Sequence, residues 1–249
     1  MIHATPQAAA TMARRARAAR QPDDIVKVQR FGNYRLELRA IDLGDPHYRV
    51  DVFMDLHFLF EDGDGGTWTQ TEKSNFASEF ERVVGRVWNR RSIGATRGGA
   101  RIEMRTRFKS RIGGVYPLDH WEVIVRKDAD GLFEDPTGVT VRGFVYQGGR
   151  FGLGTGPMAR NTVILTQHAN AMRPTECGYQ STAAHEYGHM LMNTRTGRED
   201  EYAADHPNNA DICSVMNAGN AVRGAHIAKV FLWAIGPADE HEASTGTLD

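Results

Sequence analysis

The sequence predicts an α/β fold, a twisted mixed sheet carrying long helices, with a smaller, irregular and helical C-terminal part. Three observations carry that prediction. Residues 48–60 and 101–112 alternate apolar and polar side chains with a period of two, as strands with one buried face do. Residues 70–90 repeat apolar side chains at helical spacing. The run His185-Glu186-Tyr187-Gly188-His189 sits between apolar flanks, Ala183, Ala184, Leu191 and Met192, as expected of a helix buried behind one polar face.

The chain has 249 residues, 41% of them hydrophobic and 24% charged, with a net charge of −1. That length holds one sizeable domain or two small ones, and no repeat or interdomain linker separates two. The near-zero net charge gives no general pull toward nucleic acid. Charge is unevenly placed, however: between Arg82 and Arg111 the only acid is Glu103, and from Glu199 onward acids are opposed only by Arg223 and Lys229. No apolar run approaches the ~18 residues of a membrane span, so no membrane partner is expected. Two cysteines make no disulfide scaffold.

Residues 1–24 are rich in Ala, Arg and Gln and contain no aromatic residue. They read as a disordered basic tail. Arg14, Arg15, Arg17 and Arg20 are not followed by the apolar stretch of a secretory signal, so a cytoplasmic protein, or export by a non-classical route that reads this tail as an address, is expected. In 48–60 the buried face is Val50, Val52, Met54, Leu56, Phe58 and Phe60. The acidic, glycine-rich run 61–66 breaks this strand as a plain turn, without calcium-loop spacing. Thr69 and Glu72 form the pattern of a capping box ahead of the 70–90 helix, whose core face is Phe76, Phe80, Val83, Val84, Val87 and Trp88. In 101–112 the odd positions are basic except for Glu103; without interleaved aromatics this is the solvated face of a strand. Residues 121–127 form a further strand, 139–146 another, 148–157 a glycine-rich surface loop without the ending of a phosphate loop, and 162–166 a short strand.

On a helix, His185 and His189 lie one turn apart on one face, where both imidazoles reach one Zn²⁺. Glu186 is then placed to take a proton from a metal-bound water. Gly188 costs about 1 kcal/mol of helix propensity against Ala, so it signals close packing. Two histidines leave such a site one protein ligand short. In the longer pattern with a third histidine, Met192 and Arg195 occupy the places of the helix-breaking glycine and the third ligand, and arginine cannot ligate. The helix therefore runs slightly longer, turns between Thr194 and Arg198, where Gly197 suits the turn, and delivers a ligand from Glu199, Asp200, Glu201, Asp205 or His206. Downstream, Ser214-Val215-Met216-Asn217 has the form of a tight turn that sets Met216 beneath a metal.

These stretches resemble the metzincin class of zinc peptidases, and within it bacterial proteins carrying H-E-F-G-H-M-L-G-x-x-D-E-Y, S-I-M-N-x-G and V-R-x-R-H. The matching residues are 185–191, 200–202, 214–219 and 222–226. The resemblance implies a metzincin-like zincin fold, with residues 25–249 as one zinc metallopeptidase domain and a cleft between 25–194 and 195–249. It implies a zinc-dependent endopeptidase acting on a protein or peptide, with His185, His189 and Asp200 as ligands, Glu186 as base and Met216 in the Met-turn. His206 is the alternative third ligand. Glu201 follows, because residues 201–205 resemble the E-x-x-A-D helix of the gluzincin class. Tyr202 or His226 would steady the oxyanion. Under the same resemblance Cys177 and Cys213 flank one helix, which allows a disulfide; two buried thiols fit the sequence equally. Some relatives of this pattern are secreted bacterial effectors or toxins, which brings an inhibitor or immunity protein and an export machinery as partners. The alternatives from other classes are a metal-binding interaction protein without turnover and a nucleic-acid-binding module using the arginine strand.

Overall fold

The structure is a computed structural model that describes residues 25–42, 47–95, 99–114, 121–135, 138–146, 161–191 and 206–236. The expected tail at 1–24, the glycine-rich loop at 148–157 and the candidate ligands Glu199, Asp200, Glu201 and Asp205 lie outside them, as does Tyr202.

Strands β1 (Ile25–Arg30), β2 (Arg35–Asp42) and β3 (His47–Glu61) form an antiparallel meander. Helix α1 (Gln70–Trp88) follows, then β4 (Arg90–Ala95), β5 (Arg101–Ile112) and β6 (Trp121–Arg126). A small pair, β7 (Phe133–Glu134) and β8 (Thr140–Val141), leads to β9 (Gly143–Tyr146) and β10 (Thr162–Thr166). The hairpin of β11 (Arg173–Thr175) and β12 (Gly178–Gln180) precedes α2 (Thr182–Met190), and α3 (Gly224–Ile235) comes last. The class is mixed α/β, one eight-stranded mixed sheet with few helices. No helix among the described residues is long and apolar enough to cross a membrane.

β3 is the spine of the sheet. Along one edge it pairs in parallel with β5, from His47 to Phe58. Along the other it pairs first with antiparallel β2, up to Phe53, and then with parallel β6, from Leu56 to Glu61. Only a strand of this length can serve two neighbours end to end on one edge. β10 lies parallel to β6, and β9 closes this side as an antiparallel edge strand.

The period-two pattern buries Val50, Val52, Met54, Leu56 and Phe58 of β3 against Phe76, Phe80, Val84 and Trp88 of α1. Each such side chain contributes roughly 1.5–3 kcal/mol on burial. The capping box is present: the Glu72 carboxylate accepts from the Thr69 N–H at 2.7 Å, and Thr69 Oγ1 accepts from the Glu72 N–H at 3.2 Å. α1 stops at Trp88 rather than at 90, because Asn89 leaves the helix and its side-chain oxygen accepts from Thr106 N–H of β5 at 2.7 Å. The single strand expected over 139–146 is two, β8 and β9, broken at Arg142 as the chain changes sheets.

The opposite face of the sheet is a lattice of charges. Asp51 is 1% exposed. It lies 2.8 Å from Arg49, 3.1 Å from Arg39 and 3.5 Å from Arg107. Glu37 pairs with Arg35 and Arg39, and Glu103 of β5 lies 3.4 Å from His47. Arg107 of β5 thus meets an acid of the neighbouring strand β3.

Two predictions follow from this core. Tyr187, 0% exposed between Trp88 and Phe108, has a hydroxyl with no hydrogen-bond partner among the described residues. Burial pushes its ionisation well above the ordinary tyrosine value. An unsatisfied buried hydroxyl costs about 1–3 kcal/mol, so Tyr187→Phe should raise stability by about 1 kcal/mol. A urea midpoint lower than that of the parent protein would contradict this. Glu72 is held down to about 2 by its hydrogen bond to Lys127 and those to Thr69. Because its folded value lies below its unfolded value, its contribution is present above about 4.5 and is lost as pH falls toward 2. Urea midpoints followed across that window should fall more steeply for the parent than for Glu72→Gln.

Candidate metal centre

α2 begins at Ser181, whose hydroxyl accepts from Ala184 N–H at 3.4 Å and donates to the Ala169 carbonyl at 3.1 Å. The Trp88 indole N–H donates to the Ala184 carbonyl at 2.8 Å, fixing α2 against α1. At the other end the Asn33 amide donates to the Met190 carbonyl at 2.9 Å. Met190 is the last helical residue, and the helix does not run on toward 195 as the sequence suggests. Asn33, outside the motif, satisfies the carbonyl that a longer helix would bond internally.

His185 and His189 do face one point. Their Nε2 atoms are 3.3 Å apart and their rings stand at 75°. Two nitrogens bound at ~2.0–2.1 Å to one tetrahedral zinc are separated by about 3.3–3.4 Å. His185 Nδ1 lies 2.8 Å from the Val215 carbonyl. A carbonyl only accepts, so Nδ1 carries the proton and Nε2 presents its lone pair, the tautomer a metal requires. This donor set fits zinc as far as it goes. Among the described residues no group of three or more His, Cys, Asp or Glu side chains forms that could hold a metal. The Nδ1 of His206 accepts from Asn208 N–H at 3.1 Å.

Glu186 is buried next to His185. The edge strand β9 passes directly over it: a Cβ on Gly143 would lie 2.4 Å from Glu186 Oε1. The residue that opens β9 must be glycine for the carboxylate to occupy this position.

Val215 belongs to the turn that the sequence singled out. Asn217 N–H donates to Ser214 O at 3.1 Å, Gly219 N–H to Ser214 O at 2.9 Å, and Met216 N–H to Ser214 Oγ at 3.1 Å. Met216 is buried against α2. A Cβ on Gly188 would lie 2.2 Å from its Sδ and 3.1 Å from Trp88 Cζ2. This is the close packing that a glycine in the middle of this helix suggests. His226, in the first turn of α3, accepts from Arg223 N–H through Nδ1 at 3.0 Å. Its Nε2 must then carry the proton, and it faces Ser214 Oγ at 3.4 Å. Both nitrogens of this buried ring are thus turned to the backbone and side chain around the turn.

Cys177 and Cys213 form a disulfide, with Cα atoms 5.1 Å apart. Cys177 is at the tip of the β11–β12 hairpin, where Gly178 takes a positive φ of 96°. Cys213 directly precedes Ser214. Closing this 36-residue separation stabilises the fold by about 4 kcal/mol in the chain-entropy account. The Gln180 amide also donates to the Asn217 carbonyl, and Asn220 to the Tyr179 carbonyl at 2.8 Å.

Sequence reasoning missed Val215, Gly143 and the hairpin. Gly178 after Glu176 and Cys177 is the one local signal for the hairpin. A carbonyl acceptor and a glycine forced by a neighbouring strand leave none. No family model, curated protein or solved structure matches the chain.

Replacing Gly188 by alanine sets two effects against each other. Helix propensity gains about 1 kcal/mol, whereas overpacking against Met216 and Trp88 costs about 1–3 kcal/mol. Gly188→Ala should therefore lower the denaturation midpoint; a higher midpoint would mean that Met216 moves aside without loss.

Proposed function

We propose that the chain is a zinc-dependent endopeptidase, a hydrolase of metzincin-like architecture. The observation that supports this most is the 3.3 Å convergence of His185 and His189 Nε2 beside a buried Glu186, with His185 held in the metal-binding tautomer by Val215 O. His185 and His189 would hold the zinc, which would supply Lewis-acid polarisation of a scissile carbonyl and a more acidic water. Glu186 takes the proton of that water and returns it to the leaving amine. Gly143 keeps the carboxylate in place by leaving room for it. β9 pairs only with β10 among the described residues, so its other edge suits an extended peptide running past Glu186. Met216 supports the metal helix from below. Asp200 is our third ligand, with His206 and then Glu201 as alternatives, and Tyr202 is the candidate for steadying the oxyanion. The setting we propose is a bacterial effector or toxin, exported by a non-classical route and countered by an inhibitor or immunity protein.

The test combines metal and turnover. The protein should bind about one zinc. Glu186→Gln should keep the metal and lose casein hydrolysis, since the amide cannot accept the proton. Gly143→Ala should keep the metal and lower kcat about tenfold or more, because small misplacements of a catalytic group are costly. Asp200→Ala should weaken zinc binding far more than His206→Ala. Wild-type cleavage by Glu186→Gln would sink the mechanism, and loss of metal in His206→Ala alone would move the third ligand there.

A further inference from the structure

We infer that the Cys177–Cys213 disulfide is a redox switch for this site, assembling it in an oxidising compartment and loosening it in a reducing one. The inference rests on the zinc-peptidase reading. Its basis is the position of the bond, which ties the hairpin leading into α2 to the turn that holds His185 and underlies Gly188.

The turn moves with Cys213. Ala221 N–H donates to the Cys213 carbonyl at 3.0 Å and Val215 N–H to Ala221 O at 3.0 Å. Gly219 lies so close that a Cβ there would be 2.0 Å from Cys213 O. Residues 213–221 are thus one compact unit, and Val215 O and Met216 are carried on it. With the disulfide open, hydrogen bonds still join the unit to the hairpin and to the start of α2. The Gln180–Asn217 bond is buried, Asn220–Tyr179 is exposed to water, and Ser181 N–H to Asn220 Oδ1 is long at 3.4 Å. Exposed hydrogen bonds contribute little against the entropy of an open chain. A shift of the unit takes the carbonyl from His185 Nδ1, and with it the tautomer that binds metal.

Both cysteines are half-buried, so thiols and disulfides reach them. The oxidising step is ordinary exchange with a low-molecular-weight disulfide, RS–SR. One cysteine thiolate attacks it, forming a mixed disulfide and releasing RS⁻, which takes up the proton the cysteine lost. The second cysteine thiolate attacks the mixed disulfide, forming Cys177–Cys213 and releasing a second RSH. Two electrons pass from the cysteine pair to the small disulfide, and excess RSH reverses the sequence. In a cytosol rich in thiols the reduced form dominates, and outside it the disulfide persists.

The experiment uses the full chain in three forms: oxidised, reduced and freed of reductant under anaerobic conditions, and the double variant Cys177→Ser/Cys213→Ser. Zinc affinity is read by competition with a chelating dye. Hydrogen exchange at the amides of Met216, Asn217 and Gly219 is read in metal-free protein. The reduced form and the double variant should bind zinc ten- to a hundredfold more weakly, the usual effect of losing a group that orients a ligand. Their turn amides should exchange faster. Glutathione disulfide should restore the reduced wild type and leave the double variant unchanged, which separates a switch from a folding failure. Equal zinc affinity in all three forms overturns the switch while leaving the zinc reading intact. Absence of zinc binding in every form, oxidised included, overturns the zinc reading and the switch with it.

Discussion

The contact between Met216 and Gly188 sets how closely the turn approaches α2. A sulfur atom sits where a side chain would stand on α2, so the turn must lie flush with the helix. Once it does, Val215 O is within reach of His185 Nδ1 at 2.8 Å. The helix itself has no freedom to retreat. Trp88 binds its backbone at Ala184, Asn33 binds it at Met190, and β9 presses on Glu186 through Gly143. Each of these groups comes from a different part of the sheet-and-helix layer. The whole apolar core thus acts to hold nine residues in one place.

The sheet explains how distant segments reach that helix. β3 is long enough to carry β2 and β6 one after the other along a single edge. That arrangement brings the β1–β2 corner, with Asn33, next to Trp121 at the start of β6, and the Trp121 indole N–H donates to the Asn33 carbonyl at 2.8 Å. Asn33 therefore has its carbonyl fixed by one strand and its side chain aimed at the last turn of α2. On the far face, the same strands bury Asp51 among three arginines. Removing an arginine there would leave a buried carboxylate less compensated, so charge spacing on this face is coupled to the register of β2, β3 and β5.

Legibility in the sequence followed the range of the interaction. β3, β5 and α1 were readable because their periodicity repeats over 12 residues or more and, for α1, because Thr69 and Glu72 mark its start. The close packing at Gly188 was readable, since glycine inside a helix costs propensity and otherwise has few uses there. β2 carries the same signal, Leu36, Leu38 and Ala40 alternating with Arg35, Glu37 and Arg39, but over too short a span to stand out from its charged neighbours. The end of α2 was misread because it depends on Asn33, over 150 residues away. The disulfide was balanced between two readings, since spacing along the chain does not say whether two Cα atoms come within 5.1 Å. Gly143 was invisible, because its role arises from a strand that crosses another element.

The two histidines that face Ser214-Val215-Met216 show how little of a residue's role lies in its identity. His185 meets a backbone carbonyl at Nδ1, so that nitrogen must be the donor and Nε2 is left with a lone pair. His226 meets a backbone N–H at Nδ1, so that nitrogen must be the acceptor and Nε2 becomes the donor, facing the Ser214 hydroxyl. The same ring is thus set in opposite tautomers on either side of one turn. Only the first is suited to hold a metal. The second braces the hydroxyl that receives Met216 N–H, and through it the position of the Val215 carbonyl. The backbone at the start of α3 thus orients the His226 ring by the same means that the turn uses to orient His185.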